Sequence, residues 1–195
     1  ILMDMSLAIA WENSVSEVAD SEFYRDVVAG LEAPQKQLDP KYFYDALGSR
    51  YFDQICSLEE YYPYRAEMGL LPKIAEDLSD YFSAERFADV NVVEFGAGSL
   101  HKIIPLLSCV DCIREFTAID ISGEHLESAC AEVGRHFPEL AIHRVTGDFT
   151  KAIRLKPSSA TAMGFFPGST IGNFTPSKAM AFLASARATL GSDSY

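Results

Sequence analysis

The feature that most constrains this chain is a change of periodicity near residue 85. Beyond it, short β-branched runs alternate with amphipathic stretches of helical length. Residues 90–95 (VNVVEF) read as a strand closed by Gly96-Ala97-Gly98, and residues 99–108 as a helix. A second strand spans 116–119 and ends at Asp120; a helix over 122–135 follows. Residues 141–145 make a third strand before Gly147-Asp148-Phe149, and 161–166 a fourth before Pro167-Gly168. A last helix spans 176–190, with Thr175 as N-cap and Pro176 at its first position. Strands and helices alternating at this length predict an α/β fold, a parallel sheet covered on both faces.

The first half is helical and rich in aromatic residues. Val15, Val18, Ala19, Phe23, Val27 and Val28 recur at helical spacing over 15–30, and Gly30 is a C-terminal stop. Residues 31–40, with Pro34 and Pro40, read as a linker. An aromatic stretch over 41–56 has Gly48-Ser49 as a break, and Tyr61, Tyr62 and Tyr64 form a second cluster. Another amphipathic helix covers 65–82. The expected organisation is therefore a helical segment over 1–84 and a ligand-binding domain over 85–195.

Charge narrows the ligand. Acidic residues outnumber basic ones 28 to 16, for a net charge of −12. A chain that neutralises phosphates needs the opposite excess, so nucleic acid is not an expected partner. Anionic membrane surfaces are disfavoured too, and no run reaches the roughly 20 apolar residues of a membrane span. The first ten residues are apolar but interrupted by Asp4, with no base before them, which argues against a signal peptide. A small cationic or zwitterionic ligand and a cytoplasmic setting are expected. Cys109 and Cys112 form a C-x-x-C, but neither a redox nor a zinc reading finds support in the flanks. With Cys56 and Cys130 they are expected to be free thiols, and no metal site is expected.

Four strand ends carry the candidate chemistry. Glycine at Gly96 and Gly98 lets a ligand approach the backbone, or simply makes a tight strand-to-helix turn. A nicotinamide fingerprint would need a third glycine where His101 stands, and Glu94 before the turn also speaks against a dehydrogenase. Asp120 lies where a ribose-binding carboxylate is expected, or caps the next helix. Asp148 and Phe149 could hold an adenine amine and base plane, or be a turn residue and a core ring. Residues 165–174 (FFPGSTIGNF) form a rigid loop at the same edge. Together these suit S-adenosylmethionine, a nucleoside without a phosphate. Tyr44, Tyr61, Tyr62 and Tyr64 either pack the helical segment or offer ring faces to a cation.

With those residues in view, the chain resembles the histidine-specific N-alpha-methyltransferase family of ergothioneine biosynthesis. The resemblance rests on KYFYDALGS (41–49), EYYPYRAE (60–67), VEFGAGSLHK (93–102), AIDIS (118–122), GDF (147–149) and FFPGSTIGNF (165–174). It implies a Rossmann-like class I methyltransferase sheet, here its first four strands, with an N-terminal helical substrate cap. By motif, Gly96, Lys102, Asp120, Asp148 and Phe149 would line S-adenosylmethionine. Tyr61, Gly168 and Asn173 would line an amino-acid substrate, with Tyr44 nearest the reacting nitrogen as the catalytic residue. Tyr64 stands where family members often have Thr. Members of the family continue past the position of Tyr195, so further strands would come from a longer chain or a partner. The implied reaction is transfer of methyl groups to the α-amino nitrogen of histidine, to trimethylhistidine.

Overall fold

A computed structural model describes residues 21–195. The first six residues of the helix expected over 15–30, and the apolar first ten residues, lie outside the described part. Two compact units are present, one ending at Phe43 and one running from Tyr44 to Tyr195.

In the first unit, helix α1 (Glu22–Glu32) is capped by Ser21, whose side chain accepts from the Tyr24 N–H. The helix runs two residues past Gly30, which is buried because its Cα faces the chain: a Cβ there would lie 2.1 Å from the Gln37 carbonyl oxygen. A 3₁₀ turn (Pro40–Phe43) follows. Tyr42 donates to Asp26 at 2.5 Å, and Lys41 pairs with Glu22 at 2.6 Å, fastening that turn to α1.

The second unit begins with α2 (Ala46–Cys56) and α3 (Tyr62–Ala84). Gly48-Ser49 does not break α2 as expected. Asp45 is the N-cap and accepts from the Gly48 N–H at 2.7 Å, so the glycine sits in the first turn, where the cap stabilises it. Helix α3 is longer than the expected 65–82, because Pro63 is tolerated in its first turn.

The sheet follows: β1 (Val90–Phe95), α4 (Ile104–Cys109), β2 (Ile113–Asp120), α5 (Gly123–His136), β3 (Ala141–Thr146), β4 (Thr161–Phe165), a 3₁₀ turn (Thr170–Asn173) and α6 (Pro176–Leu190). Strand order is β3-β2-β1-β4, all parallel, with Phe95 opposite Ile119 and Glu94 opposite Phe165. Expected and observed strands agree to within one residue, except that β2 starts three residues earlier. The helix expected over 99–108 shrinks to α4. Gly98 (φ +56°) and Leu100 (φ +62°) are left-handed, a conformation that cannot propagate a right-handed helix. At the outer edge of β4, the Tyr195 backbone donates to Ala162 and accepts from Gly164.

Alternation along β1 separates two cores. Val90 and Val92 face a cluster with Leu71, Ala75 and Phe82 of α3 and Leu126 and Val133 of α5. Val93 and Phe95 face Phe182 and Ala186 of α6. Helices therefore cover both faces, and every strand's carboxyl end points to one edge.

Candidate active site

In this strand order the chain leaves β1 toward β2 and β3 on one side and toward β4 on the other. The switch point lies between the carboxyl ends of β1 and β4, where doubly wound folds bind ligands. The loops there carry Gly96 and Gly168.

The β1–β2 side is tightly wired. Asp120 is only 9% exposed, and both its oxygens accept backbone N–H groups, from Gly98 at 2.9 Å and from Ser122 at 2.9 Å. The two alternatives open for Asp120 are thus partly joined: one carboxylate organises the glycine turn and fastens the start of α5. Gly96 has φ +72°, and a Cβ there would lie 3.1 Å from the Phe149 ring. Phe149 also packs edge-on to Phe166 and Phe182, so it joins the turn to the second core. Asp148 accepts from the Thr150 N–H at 3.0 Å and hydroxyl at 2.5 Å. The fit of an adenosyl group is supported at Gly98, where a Cβ would meet nothing within 4 Å: the turn faces open space beside Asp120.

A second part of the site is built on rings and loops. Tyr44 packs edge-on to Phe52 (5.6 Å), and Phe52 edge-on to Tyr61 (6.0 Å). Arg65 donates to the Leu58 and Glu59 carbonyls, holding the loop that presents Tyr61 at the start of α3. Burial pushes the Tyr44 hydroxyl above its ordinary value of 10, and the neighbouring Tyr61, Cys56 and Asp120 add to it. Tyr44 thus stands electrostatically within reach of Asp120. Tyr62 parts from the cluster and is exposed, whereas the Tyr64 hydroxyl lies 3.4 Å from His101 Nδ1.

Three segments meet at Lys102. Its ammonium pairs with Glu67 at 2.9 Å and lies 5.7 Å from the Tyr64 ring centre. The other Glu67 oxygen accepts the Gly168 N–H at 2.6 Å. Gly168 (φ +89°) and Ser169 (φ 56°) turn the β4 loop sharply, and a Cβ at Gly168 would lie 2.8 Å from Lys102 Nζ. Asn173 ends the 3₁₀ turn exposed, in no side-chain hydrogen bond among the described residues.

Sequence reasoning missed Glu67, present only as the last letter of a motif. Its partners lie 35 and 101 positions away, and no local spacing announces them. Glu94 was noted only as an acid before the glycines. It is fully buried, neither oxygen has a hydrogen-bond partner among the described residues, and burial pushes its pKa well above the carboxylate range. Lys102 opposes that shift; Asp120 and Glu67 reinforce it.

A parallel sheet with a glycine turn, a carboxylate at the end of β2 and open space beside them defines a nucleoside-binding class of α/β protein. The profile described as histidine-specific methyltransferase, SAM-dependent, matches residues 23–195, and the chain belongs to that family. A histidine N-alpha-methyltransferase from Mycolicibacterium smegmatis is 36% identical over 95% of this chain and 57% of its own length. One from Mycobacterium tuberculosis is 35% identical over 82% of this chain and 49% of its own. The chain spans about half the length of these curated relatives. A crystal structure from Methanococcus maripaludis, assigned as an S-adenosyl-L-methionine-dependent methyltransferase, superposes with TM-score 0.50 at 20% identity. It covers 77% of this chain and 61% of that one, and shares the fold.

Proposed function

We propose that this protein methylates the α-amino nitrogen of histidine from S-adenosylmethionine, forming trimethylhistidine on the route to ergothioneine. The observation that carries the reading is the match, over nearly the whole chain, to a histidine-specific family. The geometry supports it. Gly96, Gly98, Asp120, Asp148, Phe149 and Lys102 would hold the cofactor, which when bound supplies an electrophilic methyl on sulfur. Tyr44, Tyr61, Gly168 and Asn173 would hold the amino acid. The residues that hold the amino acid would keep its nitrogen, with a free lone pair, in line with that methyl group. Tyr44, kept protonated by burial, orients that nitrogen through its hydroxyl. The methylated amine then sheds a proton to solvent before the next round.

The proposal includes the two-part organisation, a helical substrate segment over 1–84 and a cofactor domain over 85–195. It also includes strands beyond β4, from a longer chain or a partner. A cytoplasmic location fits the four free thiols, and among the described residues no helix is long and apolar enough to cross a membrane.

The test is S-adenosylhomocysteine release by the intact protein across the common amino acids. Histidine should give the highest kcat/KM. A 4-dimethylallyltryptophan N-methyltransferase from Epichloe festucae var. lolii is 27% identical over 94% of this chain and 52% of its own length. Preference for a tryptophan derivative would therefore replace histidine as the substrate and keep the chemistry.

A further inference from the structure

The junction of Glu67, Lys102 and Gly168 joins three segments at the carboxyl edge. Glu67 projects from α3, Lys102 from the segment between the glycine turn and α4, and Gly168 from the loop after β4. These segments lie far apart in sequence and meet at one carboxylate, with its two oxygens divided between them: Oε1 accepts the Gly168 N–H and Oε2 holds the Lys102 ammonium. Hydrogen bonds with one charged partner are about twice as strong as neutral ones. The site is also three-quarters or more withdrawn from solvent, since the Glu67 and Lys102 side chains are 24% and 16% exposed. Gly168 has left-handed backbone, and a Cβ there would lie 2.8 Å from the Lys102 ammonium, so the loop approaches the lysine closely.

We infer that Glu67 is a positioning residue that fixes the acceptor loop around Gly168 against the cofactor-side lysine Lys102. This rests on the proposed assignment of those two residues. Held this way, the loop that grips the amino acid takes its place relative to the lysine, and occupancy of one side is felt on the other. Glu67 itself touches no reacting atom.

Its test is a double-mutant cycle in the intact protein with Glu67→Gln and Lys102→Met. The glutamine keeps an oxygen for the Gly168 N–H and removes the charge that holds Lys102. Glu67→Gln should raise the histidine KM about tenfold, leaving kcat within about threefold, a split that a loosened fold would not produce. S-adenosylhomocysteine titrated by calorimetry should bind each single variant more weakly, and the double variant no more weakly than the worse single one. Gly168→Ala reaches the junction from the other side and should raise KM in the same way. A Glu67→Gln protein with KM and S-adenosylhomocysteine affinity within twofold of wild type, or additive effects in the cycle, overturns the inference. Wild type that binds S-adenosylhomocysteine yet leaves histidine unmethylated refutes the proposed substrate instead, and the binding cycle still decides the role of Glu67.

Discussion

The two sides of the carboxyl edge are held by different means. On the β1–β2 side, backbone N–H groups from two loops converge on one buried carboxylate, Asp120, and a ring closes over a glycine. On the β4 side, one carboxylate, Glu67, ties α3 to the loops after β1 and β4, and a row of edge-to-face aromatic rings links α2 to the start of α3. The first arrangement is built on the ends of neighbouring strands; the second runs through helices outside the sheet. That difference suits a site in which one half keeps a constant nucleoside and the other reads the acceptor.

The comparison breaks most visibly at Asp120. Asp120→Ala removes the acceptor of two backbone donors, each worth about 1.5–3 kcal/mol when the acceptor is charged. S-adenosylhomocysteine affinity, read by calorimetry, should fall by about two orders of magnitude. An affinity within threefold of wild type would mean the turn is held by something other than this carboxylate. Gly96→Ala attacks the same side through sterics, forcing a side chain into left-handed backbone against the Phe149 ring. Strain of about 1–2 kcal/mol is expected, a Tm lower by roughly 2–8 °C. Thermal unfolding checks it, and an unchanged Tm would show that Phe149 gives way freely.

On the acceptor side, Tyr44→Phe deletes one hydroxyl and leaves the contact with Phe52. Loss of one hydrogen bond to the reacting amine, about 1 kcal/mol, should lower kcat about fivefold with S-adenosylhomocysteine affinity unchanged. Unaltered turnover would remove Tyr44 from the chemistry. Because burial raises its hydroxyl above 10, the wild-type rate should show no Tyr44 ionisation below pH 10, only the rise from the amine losing its proton.

The same contrast explains what could be read in the sequence. Strand β1 and helix α6 were legible because a short Val-rich run closed by glycines and a Thr-Pro start are local signals. The shortened α4 was not, since a left-handed leucine carries no mark in the sequence. Gly96, Asp120 and Phe149 were legible as candidates because each lies at or within three residues of the end of its strand. Glu67 was not, because its role exists only once α3, the segment after the glycine turn and the β4 loop are folded together. Gly48-Ser49 misled for the opposite reason: a residue pair that ends helices elsewhere sits in a first turn that Asp45 stabilises.

The smallest expected effect sharpens the boundary between the two sides, at Glu94. It lies on the face of β1 shared with Val90 and Val92, under α3, and feels Lys102, Asp120 and Glu67. Burial holds its folded-state pKa well above 4.5, whereas the unfolded chain loses that proton near the ordinary value. Between those two values the unfolded state binds fewer protons than the native one, so stability falls as pH rises through the window. Glu94→Gln removes this titration. Its stability, followed by urea unfolding from pH 4.5 upward, should vary less with pH than that of wild type, the two curves separating progressively toward neutrality. Parallel curves over that range would mean that Glu94 ionises as easily folded as unfolded, and that Lys102 reaches it after all. The junction that Glu67 holds would then extend beneath the glycine turn, and the two sides of the edge would share one charge network.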